Sequence, residues 1–278
     1  MRAWKYLLGA LLLSAISIWS ALLSPKDNNL HLIACDVGQG DAILAIYGKF
    51  QILTDGGPDN SVLTCLEKYI PFWDREIELV ILTHTQLDHY GGLIEVFSRY
   101  KVGTFLTNDF DAGTYGLEAL KNAMGGAMTR VVKPAVGTRL RLGMIYLDIL
   151  HSADGLNSTK INDYSIVTRL TFADFEALLT GDIGASVTEE IISRGRMEDV
   201  DYIKIPHHGS KNGLTPALLE ESRPEIAVIS VGKNNFYGHP HEETLEMLKN
   251  RGIKILRTDE VGDVEIVTDG KTYWQKSN

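Results

Sequence analysis

Thr83-His84-Thr85-Gln86-Leu87-Asp88-His89-Tyr90-Gly91-Gly92 follows directly on the apolar run Leu79-Val80-Ile81-Leu82. A short continuous apolar run of this kind reads as a strand buried on both faces, Leu79–Thr83. Two histidines and an aspartate therefore crowd the loop between that strand and a helix expected over Leu93–Tyr100. Neutral imidazole and ionised carboxylate are the ligands that hold zinc, manganese or iron. Neighbours on a strand point to opposite faces, so Asp88 and His89 could not both face one ion there. In a loop turning into a helix they can converge, and Gly91-Gly92 allows the backbone to turn tightly.

Three more apolar strands deliver polar groups at their ends. Leu178-Leu179-Thr180-Gly181-Asp182 presents an aspartate after a glycine; Ile203-Lys204-Ile205-Pro206-His207-His208-Gly209-Ser210 presents a histidine pair; Phe236-Tyr237-Gly238-His239-Pro240-His241 follows another apolar strand and a polar loop. Six of the eight histidines thus sit where strands end. If the sheets are central, these ends can share one edge and build one site. His31 belongs to an edge strand, and His151, at a strand end, is left open.

Outward from these blocks, strands are expected at Leu30–Ala34, Ala42–Tyr47, Phe50–Thr54, Thr104–Thr107, Ile145–Leu150, Ser165–Phe172, Glu176–Thr180, Tyr202–Ile205, Ile226–Ser230, Lys254–Arg257 and Val264–Thr268. Helices are expected at Ser61–Tyr69, Tyr115–Met124, Val187–Ser193, Pro216–Glu221 and Glu242–Lys249, the last with Leu245 and Leu248 on one face. Interleaved strands and helices in this number predict an α/β protein: two mixed sheets face to face with helices outside, a four-layer αβ/βα sandwich forming one domain over residues 29–278.

Bulk properties narrow the function classes. The 278 residues are 44% hydrophobic and 23% charged, with net charge -9. A protein that grips nucleic acid by its phosphates usually carries a basic surface; here the densest basic stretch, Arg130 to Arg141, reads as a solvated hairpin. Cys35 and Cys65 lie in apolar runs with no pairing signal in their spacing, so two buried thiols are expected. Arg2 and Lys5 precede an uncharged stretch from Tyr6 to Leu23, closed by Pro25, Lys26 and Asp27. Eighteen uncharged residues nearly match the roughly 20 that span a bilayer. The basic flank places the N-terminus in the cytoplasm. No small-x-small site ends the run, so residues 1–28 read as an uncleaved anchor in preference to a cleaved signal. The domain would be single-pass and extracytoplasmic, or secreted if the segment is cut.

Taken together, Asp36-Val37-Gly38-Gln39-Gly40-Asp41-Ala42, Thr54-Asp55-Gly56-Gly57, the Thr83-to-Gly92 loop, Thr180-Gly181-Asp182, Pro206-His207-His208-Gly209-Ser210 and Tyr237-Gly238-His239-Pro240 resemble the metallo-β-lactamase superfamily. Within it the chain is similar to the C-terminal hydrolase domain of ComEC-type competence (DNA-uptake) proteins. The resemblance runs from Leu30 to the C-terminus. It implies Asp88 and His89 as ligands of one metal, Asp182 as the carboxylate reaching both metals, one of His207 and His208 completing the set with His207 preferred, and His84 as ligand of the other metal. It also implies His239 as a pocket or catalytic residue, Asp55 as the group that orients the histidine loop, and Asp41, Asn162, Ser165 and Ser210 as supporting or lining residues.

The sequence departs from the pattern at Gln86, where the superfamily has a histidine in His-x-His-x-Asp-His. An amide is a poor zinc ligand, so one tight Zn2+ or Mn2+ ion and a doubtful second are expected. The implied chemistry is water activation for attack on a phosphodiester, extracellular DNA being the specific expectation, with Asp88 as proton acceptor and His208 or His239 at the developing charge. Two alternatives stand beside it: hydrolysis of another cell-surface ester such as a phosphocholine ester, and a degenerate metal-binding module without turnover. No protein partner is expected.

Overall fold

Eight strands form one sheet, in the order Tyr273–Lys276 (β15), Val264–Thr268 (β14), Leu30–Ala34 (β1), Ile43–Tyr47 (β2), Phe50–Thr54 (β3), Glu76–Leu82 (β4), Lys101–Thr107 (β5) and Arg130–Val132 (β6). Seven form the other: Lys254–Arg257 (β13), Ile226–Ile229 (β12), Tyr202–Lys204 (β11), Phe175–Leu179 (β10), Val167–Phe172 (β9), Ile145–His151 (β8) and Arg139–Leu142 (β7). This computed structural model describes residues 3–22, 27–108, 113–125, 129–153, 156 and 158–276. Pairing is parallel from β3 through β6 and from β10 through β13, and antiparallel elsewhere.

Side-chain alternation builds three apolar layers from these sheets. Leu30, Leu32 and Ala34 of β1 meet Leu147, Leu170 and Ala177 of the other sheet in the central layer. Ile33, one residue out of phase, faces away and packs with Leu66, Leu93 and Leu120 of the helices Ser61–Tyr69, Leu93–Arg99 and Tyr115–Gly125. On the far side Leu178 and Ile203 pack against Ile191, Leu218 and Leu248 of the helices Ala185–Ser193, Pro216–Ser222 and Glu242–Lys249. The result is the expected four-layer αβ/βα sandwich. The C-terminal ends of β3, β4, β10, β11 and β12 share one edge, where open parallel sheets bind ligands.

Several expectations are corrected. Arg130 to Arg141 is no hairpin: β6 extends the first sheet beside β5, while β7 pairs with β8 in the second. His31 lies on an inner strand, since β1 is flanked by β14 and β2, and its ring nitrogens meet Glu265 at 2.6 Å and Asp27 at 2.8 Å. Cys35 and Cys65 are buried as expected but form a disulfide, with Cα atoms 5.8 Å apart. The outer face of the first sheet packs on helix Ser61–Tyr69 and brings the two sulfurs together, a contact that spacing along the chain does not encode.

The disulfide closes 30 residues of sequence separation. Loop-closure entropy then puts its contribution at about 3–4 kcal/mol. The double variant Cys35→Ala/Cys65→Ala should lower the denaturation midpoint accordingly, read by urea titration against the oxidised wild type. Coincident curves would show that the bond adds nothing.

The apolar N-terminal stretch forms a helix, Ala3–Leu22, with Leu7, Leu11, Leu12 and Leu13 exposed. Arg2, Leu23, Pro25 and Lys26 lie outside the described residues. Among the described residues no helix is long and apolar enough to cross a membrane.

Candidate metal centre

β4 ends at Leu82, and after His84 the chain makes a single helical turn, Leu87–Tyr90. That turn swings Asp88 and His89 onto the same side, as the loop reading requires. Gly91 and Gly92 serve a different purpose from the one expected. Gly91 has ordinary helical dihedrals, φ -55° and ψ -48°. A Cβ on Gly91 would stand 2.0 Å from the Pro58 carbonyl oxygen, and one on Gly92 2.1 Å from that of Gly56. Close approach of the loop after β3 is what demands glycine here. Gly56 N donates to His89 O at 2.7 Å, and Gly92 N donates to Gly57 O at 3.0 Å, locking the two loops.

Four donor atoms converge. His89 Nε2 lies 3.4 Å from Asp182 Oδ2, and His208 Nε2 lies 3.4 Å from the same oxygen and 3.3 Å from Asp88 Oδ2. Donors each about 2.1 Å from one tetrahedral ion stand roughly 3.4 Å apart. His89 Nε2, His208 Nε2 and Asp182 Oδ2 are buried without a hydrogen-bond partner. Unpartnered buried polar atoms are costly, and a divalent ion satisfies all three at once, so the residues fit a metal.

The other ends of both rings are fixed. His208 Nδ1 donates to Ser230 O at 3.0 Å, since a carbonyl oxygen only accepts. His89 Nδ1 lies 2.8 Å from Asp55 Oδ2, and Asp55 also accepts from Thr83 N at 2.8 Å and Thr83 Oγ1 at 2.7 Å. Such contacts hold the Nε2 lone pairs toward the cluster. Burial opposes charge on His208, but Asp182 and Asp41 raise its pKa to about 9. Burial likewise opposes ionisation of Asp182, yet His208, His89 and Lys204 hold it well below the usual range.

The sequence favours the first of the pair His207–His208 as ligand; the structure places the second among the donor groups. Both residues have left-handed backbone, φ 52°. That kink sends His208 into the cluster, while no donor atom of His207 falls in one. His207 is half-buried; the Asn162 side-chain amide lies 3.3 Å from its Nδ1, and its ring is 5.6 Å from that of His239. His239 stands over the site, 6.4 Å from the His208 ring, its pKa pushed down to about 4 by burial and then by His207 and His208.

His84, His89 and Asp182 make a second, poorer group. His84 Nε2 donates to the Gln86 amide oxygen, 2.8 Å away. Its Nδ1 lies 3.0 Å from Thr83 Oγ1 and 3.4 Å from Ser165 Oγ. Burial and the neighbouring His89 push the His84 pKa down to about 4. Ser165 ties this corner to the rest: its hydroxyl accepts from Asp182 N at 3.1 Å, and its carbonyl accepts from His151 Nδ1 at 2.9 Å. His151 is thus a buried prop behind Ser165, and it takes no place in the donor clusters. Ser210 is buried at the foot of the histidine loop, its N–H bonded to His207 O at 2.8 Å.

Lys204 was absent from the candidates. Fully buried on β11, it donates to Asp41 Oδ2, to Gly181 O at 3.1 Å and to Asp182 Oδ1 at 3.4 Å. Burial alone would push the Asp41 carboxyl up, but Lys204 and then His208 hold it far below the usual range. A lone lysine in an apolar parallel strand was the signal that could have found it.

Residues 35–126 match the model of the Metallo-beta-lactamase superfamily. YhfI from Bacillus subtilis, described as a metallo-beta-lactamase fold protein, superposes with a TM-score of 0.58 at 13% identity, over 89% of this chain and 100% of that one. The chain is a metallo-β-lactamase-fold protein. Its fold is that of the superfamily's metal-dependent hydrolases, which hold divalent ions. This metallo-β-lactamase domain is also 27% identical over 251 residues to ComE operon protein 3 of Bacillus subtilis, covering 83% of this chain and 32% of that protein. It is 25% identical over 266 residues to Competence protein ComA of Neisseria gonorrhoeae, covering 90% of this chain and 36% of that one. The chain spans about a third of the length of these curated relatives.

Proposed function

We propose that the chain is a metal-dependent phosphodiesterase acting on nucleic acid, with DNA outside the cytoplasm as substrate. The observation that carries the metal-dependent part is the grouping of Asp88, His89 and His208, with Asp182 Oδ2 3.4 Å from both imidazoles, three of these donor atoms being buried and unpartnered. Likeness to a competence protein supports the nucleic-acid substrate. The Cys35–Cys65 disulfide supports an oxidising compartment, and the apolar helix Ala3–Leu22 an export or anchoring segment before the domain.

A divalent ion held by Asp88, His89, Asp182 and His208, Zn2+ or Mn2+, would supply Lewis acidity and acidify a water near neutral pH. The residues do the rest. Asp55 and Ser230 O keep the two imidazoles aimed. Asp88, with 31% of its side chain exposed, is the member of the set on the open side, where it also accepts the proton of the attacking water. His239, neutral at pH 7, offers a ring nitrogen to the substrate phosphate over the cluster.

Elemental analysis of the purified protein, with hydrolysis of single-stranded DNA and a small chromogenic phosphodiester assayed with and without manganese, tests this reading. Bound Zn or Mn and turnover of both substrates are expected. Metal without turnover of either would defeat the proposed activity, and turnover of a phosphocholine ester alone would hand the site to that substrate class.

The Gln86 amide facing His84 leaves the second position with an imidazole and a shared carboxylate. Calorimetry on wild type should therefore show one tight ion and one weak. Gln86→His should tighten the weak ion by at least about tenfold, the scale that even an outer partner carries. Two equally tight ions in the wild type would show that the amide is no defect.

A further inference from the structure

Two cavities are linked to the metal centre, one through Asp182 and the other through Tyr237, which stacks on His239. One, of about 760 Å³, is lined by Lys160, Asn162, Asp182, His207, Lys211 and Thr215. Asp182 and His207 open it directly onto the cluster, and its two lysines are exposed. The other, of about 460 Å³, lies between the Gly38-Gln39 turn and the loop that carries Phe236 and Tyr237. Phe236 is 105% exposed and Tyr237 67% exposed.

This second loop is a fixed structure. The Asn235 amide donates to Gly232 O at 3.0 Å and to His239 O at 2.7 Å, and its oxygen accepts from His239 N at 3.0 Å. Gly232 N donates to Gln39 Oε1 at 3.2 Å, which joins the loop to the opposite wall. The Tyr237 ring stacks on His239 at 5.6 Å with 22° between planes. The loop is therefore anchored on both sides of Phe236 and Tyr237, the Tyr237 ring is seated beside the histidine that overlooks the cluster, and Phe236 and Lys233 line the same cavity. Large apolar side chains held in solvent at a site mark a contact surface.

We propose that Phe236 and Tyr237 form a stacking platform for a nucleobase of a single-stranded nucleic acid whose backbone crosses the metal centre toward Lys160 and Lys211. Flat aromatic faces on one side and ammonium groups on the other match a polymer of bases and phosphates. A small phosphoester would occupy one lobe only. The base faces of a duplex are covered by its own stack, so the platform selects unpaired strands. With net charge -9 the protein lacks a broad basic surface, and stacking supplies affinity that charge does not. The proposal rests on the phosphodiesterase reading for the position of the backbone, though the platform itself can be measured without turnover.

The test uses the full chain, metal-loaded, and three labelled eight-nucleotide probes with hydrolysis-resistant phosphorothioate linkages: a single strand, the same backbone without bases, and a duplex. Binding is followed by fluorescence anisotropy for wild type, Tyr237→Phe, Phe236→Leu, Tyr237→Leu and the double leucine variant. Wild type and Tyr237→Phe should prefer the single strand to both other probes by roughly five- to a hundred-fold, the range for one stacked base. The double variant should bind it no better than the abasic backbone. Hydrolysis of a small chromogenic phosphodiester by wild type, run separately, reports on the proposed activity alone. Equal binding of all three probes by wild type, or an undiminished preference in the double variant, overturns the platform whatever the phosphodiester assay gives. Loss of preference in the double variant establishes it even if that assay shows no turnover.

Discussion

Asp182→Asn should abolish tight metal binding and lower phosphodiester hydrolysis by on the order of a thousandfold. Asp182 Oδ2 is the atom both cluster imidazoles approach, at 3.4 Å each. It is also shared with the weaker group around His84. Amide for carboxylate keeps the shape but removes the charge that a hard divalent ion needs. Lewis-acid stabilisation is worth several kcal/mol, and each tenfold in rate is about 1.4 kcal/mol, which sets the scale. The amide is the informative substitution because Asp182 Oδ1 also accepts from buried Lys204. Asp182→Ala would confound loss of metal with a cavity and a half-unpaired lysine. Metal content after dialysis, read with initial rates, decides the matter. Retention of a full equivalent of ion at wild-type rate would remove Asp182 from the site.

How much of this was legible from the residues follows from where each signal lives. β1, β3, β13 and β14 end where their apolar runs end, and the helices Ser61–Tyr69 and Glu242–Lys249 match their periodicity to the residue. β6 and β7 were missed because they are only partly buried, so apolar contrast is weak along them. The polar blocks at strand ends identified the site because a parallel sheet aligns those ends for any sequence that forms it. The choice between His207 and His208 was beyond reach: strand alternation gives no rule where two successive residues adopt φ 52°. Asp41 and Asp55 could be placed near the loop but not given partners, since Thr83, His89 and Lys204 reach them from different strands.

Lys204→Met should destabilise the metal-free protein by about 3–5 kcal/mol, the cost of breaking a buried ion pair from one side. Methionine fills nearly the same volume on β11, so the effect isolates the charge. Asp41 and Asp182 would lose their shared cation, and the Gly181 carbonyl its donor, in a pocket that already holds Asp55. Two outcomes separate this electrostatic role from simple packing. A divalent ion supplies the missing positive charge beside Asp182, so added manganese should restore more stability to Lys204→Met than it adds to wild type, through binding to the folded state alone. Adding Asp41→Asn to Lys204→Met should also cost less than the two single changes summed, because the pair interacts directly. Urea denaturation of the four proteins, with chelator and with manganese, yields both quantities. A metal-free Lys204→Met protein as stable as wild type would mean that the buried carboxylates tolerate one another without the lysine. The arrangement of Asp41, Lys204 and Asp182 would then have no part in presenting Oδ2 of Asp182 to the cluster.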